Sequence, residues 1–514
     1  MRGVVAAGHP LTAEAGAQVL GEGGNAVDAA VAAMLASFAV ESPLTGLGAG
    51  GFMIVHEAGR TALIDFFVEM PGREGTERGE ELVPVDVHFD EATTQVFNVG
   101  AASCGVPGTA AGVSHALAGY GTMPMAELIG PAVRLAREGA PLNRQQAYVL
   151  EILEPIYTRL PECRRIYAPG GRILREGETF RFEDLAGALE MLAAEGHEPF
   201  YRGEIGAAVA DFVCERGGIL SRSDMAAYGP IERTPVRARH RGCEVLTNPP
   251  PSSGGILIAF ALELLERLGS DSVQSVLSVM EAANRARAAR FAEGLYEEGF
   301  AESFLAATNL DREAERIASG QGPLPGGPED RLGSTTHLVV MDAEGGCASV
   351  TCSNGTGSGL VVPGTGIHVN NMLGEEDLNP LGFHRTPVGA RMTSMMSPAV
   401  VMRDGEVVAG LGSAGSNRIR SAVLQTVLRL LGDGMGPAEA VAAPRVHFES
   451  GTLQAEPGID PGTLDRVESA GVPVVRWRDR NLFFGGVQAV TRDPSTGRLE
   501  GGGDPRRGGA VALA

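Results

Sequence analysis

The sequence predicts a layered α+β fold of helices packed on antiparallel sheet, and three observations point there. Apolar, β-branched runs face each other across short turns within residues 52–66, 399–409 and 487–501. Antiparallel neighbours can be joined by tight turns, whereas parallel ones need a crossover of about a dozen residues or more. Helical patterns recur around those hairpins and give the sheets something to pack against. Finally, 44% of the 514 residues are hydrophobic, which supplies a sizeable core and argues against a disordered chain.

The elements follow in order. Residues 25–40 form an Ala-rich helix with Asn25 as N-cap. Residues 52–55 and 61–66 are two strands of a hairpin whose turn, His56 to Arg60, offers Gly59 for a positive φ. Helices are expected at 125–137, 182–195, 205–216, 256–267 and 272–291. Residues 318–328 are rich in Gly and Pro and read as an exposed connector. Beyond it, residues 336–341 and 347–353 are strands about a turn at 342–346. Asp404-Gly405 joins strands 399–403 and 406–409, the strongest short hairpin signal. Helices return at 417–431 and 461–470, and strands 487–492 and 498–501 make a third hairpin.

Charge narrows the function. The formal net charge is −21, which disfavours nucleic acid and anionic membrane as partners. The chain contains no lysine, so a Schiff-base lysine, a Walker-A lysine and a Ser-x-x-Lys pair are excluded. Cys104, Cys163, Cys214, Cys243, Cys347 and Cys352 are scattered, with no C-x-x-C spacing, so neither structural zinc nor a disulfide framework is expected. No secretory h-region or membrane-length apolar run is read, and the expected location is cytoplasmic. No metal or cofactor is expected.

Four motifs invite chemistry. Gly46-Leu47-Gly48-Ala49-Gly50-Gly51 fits G-x-G-x-x-G, but its order is helix, glycines, strand, opposite to what a dinucleotide site needs. It reads as a tight turn with close backbone approach. Pro249-Pro250-Pro251-Ser252-Ser253-Gly254-Gly255 reads as a structural loop that caps the helix near Ile256. Gly333-Ser334-Thr335-Thr336-His337 stands between the connector and a strand. Taken blandly, it is a strand start. Read chemically, a cut between Ser334 and Thr335 makes Thr335 N-terminal, with an α-amino group of pKa about 7.7–8. That amine can act as general base for its own hydroxyl. Gly412-Ser413-Ala414-Gly415-Ser416-Asn417-Arg418 lies at a strand-to-helix junction, where free N–H groups suit either an oxyanion or simple capping.

Together these blocks resemble the gamma-glutamyltransferase family of N-terminal-nucleophile hydrolases. The resemblance runs over nearly the whole chain. Its markers are Gly23-Gly24-Asn25-Ala26-Val27-Asp28-Ala29-Ala30, Gly105-Val106-Pro107-Gly108-Thr109, Tyr120-Gly121-Thr122-Met123-Pro124, the triple-proline loop, Thr335-Thr336-His337, Asn370-Asn371, Met396-Ser397-Pro398 and Gly503-Asp504-Pro505-Arg506. The resemblance implies a four-layer αββα sandwich and a proenzyme that cuts itself before Thr335. The products would be 1–334, including the connector 318–334, and 335–514, associated as one intertwined domain. It implies Thr335 as nucleophile, Ser353 as its supporting hydroxyl, and Gly415 and Ser416 as oxyanion amides. Asn371, Glu375 and Ser394 fall at substrate-binding places.

The pocket departs from the family pattern. Val68 stands where the family keeps the arginine for a glutamyl α-carboxylate; Met372 and Glu375 replace Gln/Glu and Asp, and Met395 replaces one of two serines. Arg60 and Arg73 are candidates to compensate. The stretch from Asn371 to Ser397 is short beside lid-bearing transferases, which favours hydrolysis. The expectation is an autoprocessed threonine amidase acting on a γ-glutamyl or related small-molecule amide. An acylase for a non-glutamyl, cephalosporin-type acyl group and an unprocessed, non-enzymatic family member are the alternatives.

Overall fold

Two antiparallel sheets organise the chain. The computed structural model describes residues 1–75, 81–88, 94–287, 290–319 and 335–514. The first sheet has seven strands in the order Ala510–Leu513, Gly3–Ala7, Thr336–Asp342, Cys347–Ser353, Gly50–Glu57, Arg60–Phe66 and Ile231–Arg233. The second has six, in the order Leu499–Gly503, Gly486–Arg492, Glu406–Ala414, Ala399–Arg403, Cys243–Thr247 and Val236–His240. Strands from before and after the connector contribute to both sheets.

Strand Thr336–Asp342 is buried along its whole length, because both its faces are covered. Side chains of a strand alternate between faces. Leu338 and Val340 pack into the core with helices Pro10–Glu22 and Ala26–Val40, while Val339 and Met341 face the second sheet. The outer side of that second sheet is covered by helices Ser253–Leu268 and Arg418–Leu431.

Helix Ala26–Val40 is buried at every position. A buried Asp28 is tolerated there because it completes a capping box with Asn25 and also accepts N–H groups from Thr122 and Met123 at 2.9 and 3.1 Å. The strands of the first hairpin are longer than expected, so its turn shrinks to Ala58-Gly59, with φ of 49° and 76°. The other two hairpins fall where expected. The helix expected at 125–137 is instead two, Met125–Leu128 and Gly130–Glu138, interrupted at Ile129 ahead of Pro131, whose ring nitrogen has no N–H to give. The helix expected to run to 291 ends at Ala286. Most of the connector, 320–334, lies outside the described residues.

The glycine motif is consumed by packing. A Cβ on Gly48 would lie 2.1 Å from the His368 carbonyl oxygen, and one on Gly51 would lie 2.4 Å from that of Thr351. The two ends of the chain run side by side: Arg2 N–H donates to the Ala514 carbonyl at 2.7 Å, and Ala514 N–H donates to that of Gly3 at 3.1 Å. Among the described residues, no helix is long and apolar enough to cross a membrane.

Candidate active site

Register brings the first pair of site residues together. Thr336 pairs with Cys352 across the central hairpin, so Thr335 falls beside Ser353. Their hydroxyl oxygens are 3.4 Å apart, with Thr335 the donor. Ser353 Oγ also accepts the N–H of Gly355 at 2.9 Å, which fixes its rotamer. Ser334 lies outside the described residues.

Thr335 lines a recess together with Ser353, Glu375, Ser394 and Ser416. Four segments far apart in sequence thus meet around one hydroxyl. The triple-proline loop positions Ser394. At the start of helix Ser253–Leu268, the N–H groups of Ser253 and Gly254 donate to the Ser394 carbonyl at 2.8 and 3.0 Å, and Ser252 Oγ donates at 2.9 Å. Gly254 is obligatory there, because a Cβ would lie 2.2 Å from the Met395 carbonyl oxygen.

Asn371 is fully buried and does not line the recess. It braces Glu375, donating from Nδ2 to Glu375 Oε1 at 3.0 Å and accepting Thr356 N–H at Oδ1 at 2.9 Å. The Val68 side chain is likewise buried, and Phe67 takes the place in the lining. Arg60 and Arg73 do not compensate for the absent arginine: Arg60 pairs with Glu232 and Arg73 with Glu69, each at 2.6 Å, and neither reaches the recess. Among the described residues no arginine lines it, and Phe67, Met372, Leu378, Met395, Met396 and Ile419 make it largely apolar.

Gly415 and Ser416 have φ of 127° and 51°. A Cβ on Gly415 would lie 2.9 Å from the Cα of Gly485, so glycine is required there. Ser416 holds a left-handed conformation that costs a non-glycine residue about 1–3 kcal/mol. Asp377 stabilises it, accepting from Ser416 Oγ and, at 3.1 Å, from Asn417 Nδ2. Burial raises the Asp377 pKa, opposed by the Ser416 hydrogen bond and by Arg287 and Arg418. Neither the Gly415 nor the Ser416 N–H is donated to any backbone acceptor among the described residues. Two amides at the head of helix Arg418–Leu431 are therefore free for a developing anion.

Two residues of this site escaped the sequence reading. Asp377 is one. Glu41 is the other: it accepts from Thr336 Oγ1 at 2.5 Å and from Thr12 Oγ1 at 2.8 Å, and burial raises its pKa. Neither belongs to a local motif, since each meets its partners only through the fold. His337 is a core histidine. It shares a hydrogen bond with Thr351 Oγ1 at 2.8 Å and is pushed down to about 3 by burial, so it stays neutral. No group of three or more metal-binding side chains is assembled among the described residues.

The gamma-glutamyltranspeptidase family model matches residues 12–514. The chain is 33% identical to the acylase ACY 1 proenzyme of Pseudomonas sp. (strain SE83), over 97% of this chain and 91% of that protein. It is also 33% identical to the glutathione hydrolase proenzyme of Escherichia coli (strain K12), over 98% and 90%. The crystal structure of cephalosporin acylase from Bacillus halodurans superposes with a TM-score of 0.83 at 27% identity, covering 100% of this chain and 96% of that one. With a family match over almost its whole length, the chain is an enzyme of the gamma-glutamyltranspeptidase family.

Proposed function

We propose that this protein is an autoprocessed threonine amidase that hydrolyses amides of an acyl group held mainly by apolar contact. The observation that carries this reading is the convergence of Thr335, Ser353, Glu375, Ser394 and Ser416 on one recess. Cleavage between Ser334 and Thr335 frees the α-amino group that takes the Thr335 hydroxyl proton. The alkoxide oxygen attacks the amide carbon, and the amides of Gly415 and Ser416 hold the oxyanion. The C–N bond then breaks, the departing amine takes the proton, and water releases the acyl group. Two sheets packed together with helices on both outer sides support a four-layer αββα arrangement for this reading.

Without a guanidinium in the recess, a carboxylate on the acyl group gains no charged partner and faces Glu375 instead. An amine on the acyl group can pair with Glu375, so γ-glutamyl remains acceptable while losing its carboxylate clamp. Expected kcat/KM for 4-nitroanilides therefore falls from butanoyl through γ-glutamyl to glutaryl. The loss of a charged hydrogen bond, worth about 1.5–3 kcal/mol, sets the glutaryl deficit at roughly tenfold or more. Steady-state release of 4-nitroaniline measures the order, and a preference for glutaryl would overturn the apolar assignment.

A further inference from the structure

A cavity of about 400 Å³ adjoins the acyl recess. Asp377 and Met395 line both spaces, so the two meet at these side chains. The volume falls within the range of small-ligand sites, about 300–1,000 Å³. The hydrolysis proposed above makes no use of it.

The wall is built from distant segments. Ser253 begins helix Ser253–Leu268, and Arg285 lies in the last turn of helix Val273–Ala286. Phe291 and Leu295 follow, four residues apart and both buried, and Phe448 closes the other side at the end of strand Val446–Glu449. Between the cavity and the recess stands Met395, whose Sδ accepts the Ser253 hydroxyl at 3.4 Å. An unbranched thioether side chain with three rotatable bonds yields readily to a ligand.

The charges of this wall are already engaged with one another. Arg285 pairs with Glu281 at 2.9 Å and with Glu313 at 3.0 Å, and Arg287 pairs with Glu449 at 3.1 Å. Glu449 also takes Arg420 at 2.9 Å. Asp377 accepts from Ser416 and Asn417, and Glu376 is exposed to solvent. An anionic ligand would have to compete for guanidinium groups that hold carboxylates, and would meet Glu376 and Asp377 besides. A neutral chain breaks no ion pair and gains from the apolar surface of Phe291, Leu295, Met395 and Phe448. Met395 belongs to the lining of the recess that takes the acyl group. What passes it is therefore the far end of that group, not the departing amine.

We propose that this cavity extends the acyl site, and that the substrates are amides of uncharged, mainly apolar acyl groups too long for the recess alone. The tail passes Met395 and lodges against Phe291, Leu295 and Phe448. This deepens the amidase reading and rests on it.

The test compares 4-nitroanilides of butanoate, hexanoate and octanoate with the suberyl anilide, which is octanoyl with a carboxylate at its far end. In self-cleaved wild type, each methylene that enters the cavity is expected to raise kcat/KM about threefold to fourfold. Octanoyl is then expected to exceed butanoyl by roughly tenfold or more, and suberyl to fall below octanoyl by about tenfold or more. Ala292 lines the cavity and not the recess. Ala292→Trp fills the cavity and is expected to bring the octanoyl-to-butanoyl ratio close to unity. Ala292→Leu adds less volume, is expected to fall between, and reads the same ratio if the larger substitution does not fold. A flat or falling series in wild type, a preference for suberyl, or an octanoyl advantage that survives both substitutions would overturn the proposal. Calorimetric titration with 1-octanol and 1-butanol needs no turnover and provides the second readout. Tighter binding of octanol to wild type, lost in Ala292→Trp, supports the cavity even if no anilide is cleaved, an outcome that counts against the amidase reading alone. Equal binding of the two alcohols to wild type counts against the cavity.

Discussion

Thr335→Ala is expected to yield a single uncut chain with no measurable amidase activity, where the wild type is expected to yield two fragments meeting between Ser334 and Thr335. Intact mass under denaturing conditions reads the first effect, and release of 4-nitroaniline the second. One hydroxyl serves both steps in the proposed scheme, so one substitution removes both. Nucleophile removal in hydrolases that work through a covalent intermediate costs about a millionfold in kcat, which is the scale expected here. Thr335→Ser keeps the hydroxyl and, once cut, the α-amine, and is expected to process and turn over more slowly without being silent. Ser353, whose hydroxyl lies 3.4 Å from that of Thr335, has a supporting role in the proposed scheme; Ser353→Ala is expected to be the milder change. A wild-type chain that stays whole would remove the basis for the amidase.

Asp504→Ala has the largest expected effect on stability. Asp504 is fully buried between Arg445 and Arg506, at 2.7 and 3.0 Å, and also accepts the N–H of Val487 at 2.9 Å. Removing it strands two buried guanidinium groups, one of which keeps Glu456 as a partner. Breaking a buried pair from one side costs about 3–5 kcal/mol. Urea unfolding at pH 7 reads the loss; less than about 1 kcal/mol would show that the arginines find water instead. Burial raises the Asp504 pKa, but Arg445 and Arg506 outweigh it and hold it below the ordinary carboxylate value. Its contribution is therefore fully present above about pH 4, the unfolded value, and fades as pH falls through the lower folded one. The difference between Asp504→Ala and wild type should shrink accordingly in strong acid.

The elements that local chemistry dictates were legible in the sequence. Asn25 capped its helix, Asp404-Gly405 turned its hairpin with φ of 52° and 86°, and the strand after Thr335 lay where β-branched residues placed it. The first strand, Gly3–Ala7, was not read, because five small apolar residues carry no periodicity until flanking strands bury both faces. Helix Pro10–Glu22 was also missed; its N-cap is His9, accepting the Leu11 N–H at Nδ1, which composition does not advertise. At the site, the motif residues Thr335, Ser353, Ser394 and Ser416 were legible through resemblance. Asp377 and Glu41 were not, for each acquires its meaning from partners dozens or hundreds of positions away.

Joining the two ends of this chain would need few added residues, because Arg2 and Ala514 already share a hydrogen bond. A circularly permuted gene could then begin at codon 335 and finish at codon 334. Its product would start Met-Thr, and removal of the initiator methionine by the host aminopeptidase would deliver the free threonine amine without any self-cleavage. Maturation and turnover, which one side chain couples in the proposed scheme, would become separately measurable in a single polypeptide.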